Sequence, residues 1–167
     1  MSPLSTKPTI RILDSVTKLD PSYQDQVLVA GSHGAIYAAY IAAKGGVRGV
    51  ILNDAGVGKD DAGISGLAYL DGFGVAGATI SHQSARIGDG ADMMDRGVIS
   101  HINDTARAIG CVPDQGCADC ATRMLSAPGA TGAPPEMTES RFILEPGEPE
   151  VWGLDSASLV LPEDEAR

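Results

Sequence analysis

No glutamate occurs in the first 135 residues, and tryptophan occurs once in the whole chain. Aromatic residues make up only 4% against 43% for all hydrophobic types. The core must therefore be assembled from Ala, Val, Ile and Leu, with 21 glycines permitting close backbone approach. No stretch reaches the roughly 20 apolar residues of a membrane span. The opening "MSPLSTKPTIRI" lacks the apolar centre of a secretory signal. These absences predict a soluble, cytoplasmic protein.

Positive charge is also scarce, with 12 Lys and Arg against 22 Asp and Glu and a formal net charge of −10. Nucleic acid and anionic membranes both demand clustered Lys and Arg, so neither is expected as a partner. Thirteen Asp and ten Lys or Arg give residues 1–135 a net charge of −3. Seven Glu and two Asp against Arg141 and Arg167 give residues 136–167 a net charge of −7. The acidity belongs mostly to the tail.

Three cysteines, Cys111, Cys117 and Cys120, fall within "CVPDQGCADC". In a cytosolic protein they read as a loop of reduced thiols. A structural zinc would need a fourth ligand from a histidine or another chain. A redox Cys-x2-Cys pair would ordinarily open a helix directly after a strand, a position this pair lacks.

The 167 residues suit one domain with a buried core. "TIRILDSV" (9–16), "QVLVA" (26–30), "VRGVIL" (47–52) and "VAGATIS" (75–81) read as strands. Helices are expected from Gly34 to Lys44, within "GISGLAYLDGFG", and over residues 93–109, where Met94, Val98, Ile102, Ala106 and Ile109 recur at helical spacing. In that last helix His101 would be a solvated or core-edge residue. Alternating apolar strands and helices pair in parallel, because a helical crossover returns the chain to the same end of the sheet. The expected fold class is α/β, a Rossmann-like three-layer sandwich with a mainly parallel sheet plus an extended C-terminal arm. Residues 1–125 would form the α/β domain, 126–137 a Pro/Gly/Ala linker and 138–167 the acidic arm.

Ligands of a parallel sheet bind beyond the carboxyl ends of its strands. There the sequence places Asp14 and Ser15, "GSHG" (31–34), "NDAGVGKDDAG" (53–63) and "SHQSARIGDG" (81–90). A core does not require such polar loops. Gly31 and Gly34 would permit a tight turn and close approach of a ligand, with the Ser32, His33 and Gly34 amides forming an anion site at a helix start. Neither the Gly-Lys-Ser/Thr ending of a phosphate loop nor Gly-x-Gly-x-x-Gly is present. His33 and His82 are the acid/base candidates, with Asp54 or Asp14 as orienting carboxylate. Ser32 and Ser84 stand outside any Gly-x-Ser-x-Gly elbow. Arg86 and Lys59 would bind an anionic substrate. No cofactor is expected; the metal alternative is a divalent ion on Asp60, Asp61 and Asp89, beside Asp54 and His82, although their spacing fits no named motif.

"GSHG", "NDAGVGKDDAGI" and "SARIGDG" together resemble an uncharacterised bacterial α/β family whose longer members carry the Leu-Asp-Ser and Gly-Ser-His-Gly pattern twice. The resemblance spans about residues 11–110 and an echo of "LDSVTKLDP" (13–21) in "LDSASLVLP" (154–162). It implies a half-length chain whose arm completes a neighbour, and it transfers no activity.

The sequence thus predicts an enzyme acting on a small anionic metabolite, most plausibly a hydrolase. A lyase or isomerase would use the same groups, and a non-catalytic ligand-binding or regulatory subunit is the rival from another class. A homo-oligomer is expected through the arm, with Trp152 as anchor and Leu154-Asp155-Ser156 lying near a neighbour's sheet.

Overall fold

The structure is a computed structural model describing residues 7–155 and 159–166. The first six residues, and Ser156 of the second Leu-Asp-Ser, lie outside the described residues. The chain divides into two compact units, Met1–Pro134 and Pro135–Arg167.

In the first unit Ile10–Leu13 forms strand β1. Asp14 and Ser15 end it, and the Ser15 hydroxyl accepts from the Thr17 amide to start a single 3-10 turn, Val16–Lys18. Strands β2 (Val27–His33), β3 (Gly49–Asn53) and β4 (Ala76–Ile80) follow, apolar on nearly every residue as strands covered on both faces must be. Helix α1 (Ile36–Lys44) joins β2 to β3, and α2 (Gly66–Asp71) joins β3 to β4. Beyond β4 come α3 (Gly90–Arg96), β5 (Ile99–Ile102), α4 (Asp104–Ala108) and α5 (Cys117–Met124).

The five strands lie in chain order, the first four parallel and β5 antiparallel to β4. The sheet is thus mostly parallel and flanked by helices. Strand periodicity assigns its two faces. Leu28, Ala30, Val50 and Leu52 pack with Ala38, Ala39, Ala42 and Ala43 of α1 and Leu70 of α2. Val27, Val29, Ile51, Ala78 and Ile80 pack with Met93, Ala106, Cys120 and Met124. Each fully buried Val, Leu or Ile contributes about 1.5–3 kcal/mol. Alanines on α1 let that helix sit close to the sheet, which explains how so few aromatics suffice.

The long helix expected over residues 93–109 is replaced by α3, β5 and α4. Gly97 breaks it: a Cβ there would stand 2.3 Å from the Met93 carbonyl oxygen and 2.9 Å from the Ile80 side chain. Asn103 then starts α4, its side-chain oxygen accepting from the Ala106 amide at 2.9 Å. His101 consequently lies on a strand. The cysteine segment also differs from the expected loop, since Cys117 begins α5 and all three thiols are buried.

Residues 126–131 lie against the first unit. Ala127 is buried with its carbonyl accepting from Arg48, and the Thr131 amide donates to Phe73 O at 2.8 Å. The second unit contains an antiparallel hairpin of β6 (Arg141–Glu145) and β7 (Val151–Leu154), and a 3-10 turn at Pro162–Ala166. Arg141 ties it together, bonding both Asp164 carboxylate oxygens at 2.5 and 2.6 Å while its guanidinium lies 4.3 Å from the Trp152 ring centroid. Among the described residues no helix is long and apolar enough to cross a membrane.

Candidate functional site

Register places the polar loops. His33 at the end of β2 pairs with Asn53 at the end of β3, which pairs with Ile80 at the end of β4. His33, Asp54 and His82 therefore emerge from the carboxyl ends of three adjacent strands. Asn53 and Asp54 each turn back on the chain, their side chains accepting from the Ala55 and Gly56 amides at 2.9 Å. The same Asp54 oxygen accepts from the His82 amide and from His82 Nδ1, both at 3.0 Å. Asp54 is buried, while the His82 side chain is 47% exposed.

Burial alone would raise the Asp54 carboxyl. The Gly56 and His82 amides, the Ser100 hydroxyl and the His82 ring outweigh it and hold the group below its ordinary value. A carboxylate on Nδ1 fixes the neutral imidazole with its proton there, leaving the Nε2 lone pair directed away from Asp54. That is the arrangement of an oriented base.

The loop carrying this pair is strained. Ala55, Gly56, Val57 and Gly58 have φ of 49°, 79°, 64° and 74°, four consecutive left-handed residues. For β-branched Val57 such a conformation costs on the order of 1–3 kcal/mol. Bonds from the Val57 amide to Asp54 O and from the Gly63 amide to Val57 O, both 2.7 Å, hold it. Only glycine fits at residue 63, where a Cβ would stand 1.9 Å from the Asp54 carbonyl oxygen.

His33 has the opposite polarity. Its Nδ1 accepts from the Ala35 amide at 3.3 Å, so the neutral ring carries its proton on Nε2. The glycines beside it serve the backbone. A Cβ on Gly31 would stand 2.7 Å from Asp14 O and the Asp89 amide nitrogen, and one on Gly34 would stand 2.4 Å from Gly63 O. The Gly34 amide donates to Asn53 O at 2.7 Å, and Ser32 Oγ accepts from the Val16 amide at 3.0 Å. Of the three amides expected to form an anion platform, that of Gly34 is thus used within the fold.

The remaining candidates scatter. Asp14 accepts from the Gly90 amide at 3.3 Å, which places it by the start of α3. Ser84 Oγ donates to Ser81 O and accepts from the Val98 amide, so both its roles are occupied. Arg86 is exposed and pairs with Asp92 at 3.6 Å. The Arg86 amide, with Arg96, holds the Asp92 carboxyl low against a smaller opposing effect of burial. Asp89 caps α3 on the Asp92 amide, and Lys59, Asp60 and Asp61 form an exposed 3-10 turn. Among the described residues no three His, Cys, Asp or Glu side chains are placed to hold a metal ion, Asp60, Asp61 and Asp89 included. The cysteines belong to the core, and burial pushes Cys117 up to about 12.

Sequence reasoning missed Ser100. It is the extra residue of a bulge, since Ile80 pairs with Ile99 and Thr79 with His101. Besides helping to lower Asp54, its hydroxyl meets Thr79 Oγ1 at 3.0 Å and His101 Nδ1 at 3.1 Å. The available signal is the tripeptide Ile-Ser-His, which occurs at 80–82 and again at 99–101. A separate cavity of about 810 Å³ lies at the other end of the sheet, lined by Asp20, Asp25, Ile41, Lys44 and Gly129 among others, and reaches none of these groups.

No family model, curated protein or solved structure matches the chain. The functional reading therefore rests on the geometry.

Proposed function

We propose that the protein is an enzyme acting on a small anionic metabolite, a hydrolase whose base is His82. The supporting observation is the buried, ionised Asp54 bonded to His82 Nδ1 on a strained loop at the carboxyl end of a mostly parallel sheet. The fold is read as a Rossmann-like three-layer α/β sandwich with an extended C-terminal arm, and the location as cytoplasmic. In this reading Nε2 of His82 takes a proton from water as the oxygen attacks an electrophilic carbon. The bond to the leaving group then breaks, and the imidazolium returns its proton to that group. Asp54 stays ionised throughout and stabilises the imidazolium. His33 Nε2–H is the donor for charge developing on the substrate, and the exposed Arg86 and Lys59 attract its carboxylate.

A lyase or isomerase would use the same base on carbon. A non-catalytic ligand-binding or regulatory subunit would hold the same anion in this cleft without turning it over. Incubation with a panel of small carboxylates, amides and esters, followed for turnover and for thermal shift, separates these. Hydrolysis that falls at least 100-fold in His82→Ala, with an unchanged melting temperature, supports the proposal. Ligand-induced stabilisation without turnover favours the binding subunit, and turnover that survives His82→Ala sinks the assigned base.

A further inference from the structure

We infer that the β6–β7 hairpin of one molecule docks on the β1 edge of a second copy of this chain. Among the described residues eleven large hydrophobic side chains are exposed, and six of them, Phe142, Ile143, Leu144, Val151, Val160 and Leu161, belong to the second unit. A two-stranded hairpin is marginal by itself in water, and apolar patches on such a scale mark contact surfaces. Phe142 and Leu144 lie over Gly153 on one face, 49% and 62% exposed. Trp152, the anchor suggested by the sequence, is instead engaged within the hairpin by Arg141 and by Glu150, to which its indole N–H donates at 3.1 Å. The apolar face is thus Phe142 with Leu144.

Charge selects the occupant. Residues 136–167 carry a net −7, so two such hairpins meeting each other would bring like charge together. The β1 segment is locally basic, with Lys7, Arg11 and Lys18 against Asp14. Among the described residues it is also the sheet edge with no strand beyond it. At the other edge β5 is covered by residues 114–116, with the Ile99 amide donating to Gln115 O at 2.9 Å and the Asp114 amide to Ile99 O at 2.8 Å. β1 has β2 alone as a strand neighbour, and its Ile12 is 45% exposed. The sequence echo takes on a structural meaning here. β1 reads Ile-Arg-Ile-Leu before Asp14-Ser15, and β7 reads Val-Trp-Gly-Leu before Asp155-Ser156. Both are four-residue strands ending on leucine before an aspartate, so β7 has the form of an edge strand of this sheet. Reciprocal exchange of hairpins between two copies closes as a twofold dimer and exposes no further edge.

The test is the solution mass of the full chain by light scattering at micromolar concentration. A dimer is expected, with Leu144→Asp and Phe142→Asp each shifting it to monomer and Arg11→Glu weakening it at least tenfold. All three sites are exposed, and circular dichroism confirms that each variant is folded. In an Ile12→Cys, Leu144→Cys chain under mild oxidation, the new disulfide should join two chains on a non-reducing gel. A monomeric full chain overturns the inference, as does a dimer indifferent to all three substitutions. A 12–144 disulfide closed within one chain also overturns it, because the hairpin would then fold back on its own sheet.

Discussion

Leu28 and Leu144 are the same side chain in two different settings. Leu28 lies near the start of β2, fully buried against α1, with a strand on each side. Leu144 lies in β6, a strand of comparable apolar composition, and is 62% exposed. The two local sequences, Val-Leu-Val-Ala and Phe-Ile-Leu, do not explain this contrast. The first unit has enough chain to place a helix on each face of a strand, whereas the described residues of the second form one hairpin and a 3-10 turn. In the second unit the organising contact is polar, the Arg141–Asp164 pair with Trp152 beneath the guanidinium.

The largest way to break this comparison is to truncate both leucines. Leu28→Ala should cost about 2–5 kcal/mol of unfolding free energy, because it removes transfer energy and leaves a cavity. Leu144→Ala should stay within about 0.5 kcal/mol. Urea unfolding of dilute protein followed by far-ultraviolet circular dichroism measures both. A multi-kilocalorie loss in Leu144→Ala would mean that the second unit has a core of its own.

The next contrast uses the single tryptophan as a reporter, since Trp152 reads the second unit alone. Both Arg141 and Asp164 are about one-fifth exposed, at 19% and 20%. Arg141→Ala should lower local stability, because it removes the charged hydrogen bonds that tie the second unit together. Trp152 fluorescence should change at lower urea in the variant while the dichroism of the first unit holds its midpoint. Fluorescence and dichroism moving together would show that the two units unfold as one.

The strands β2, β3 and β4 and the helices α1 and α2 were legible because uninterrupted apolar runs bounded by glycine leave few alternatives. The stretch after residue 90 was not. Met94, Val98, Ile102 and Ala106 recur every four residues, yet Met94, Ile102 and Ala106 belong to three elements and Val98 to the link between two of them, and Gly97 and Asn103 were the stop and start signals that period concealed. His82 with Asp54 was legible as a pairing, since both follow apolar strands of one parallel sheet. The purpose of Gly31 and Gly34 was not, because close approach by backbone and close approach by ligand ask for the same residue. The bond from the Gly90 amide to the Asp14 carboxylate joins residues 76 apart, a contact that no local pattern announces. Ser100 required knowing that β5 returns antiparallel beside β4.

The smallest expected effect concerns acid, where the two units respond through different carboxylates. Asp54 is held below the ordinary carboxylate value in the folded protein, so folding favours its ionised form. Its stabilisation is fully present above the unfolded value near 3.8 and is lost as pH falls through the lower folded value. Asp54→Asn keeps an oxygen to accept from the Gly56 and His82 amides but cannot titrate, so its stability should decline less steeply over that window. The second unit has its own ion pair, Asp164 on Arg141, which the substitution leaves intact. Dichroism of Asp54→Asn should therefore lose part of its acid dependence below about pH 4 while Trp152 fluorescence retains its own. A wild-type profile in both signals would mean that Asp54 contributes nothing to the first unit's acid limb. A change in the tryptophan signal alone would place its influence in the wrong unit and end the separation drawn here.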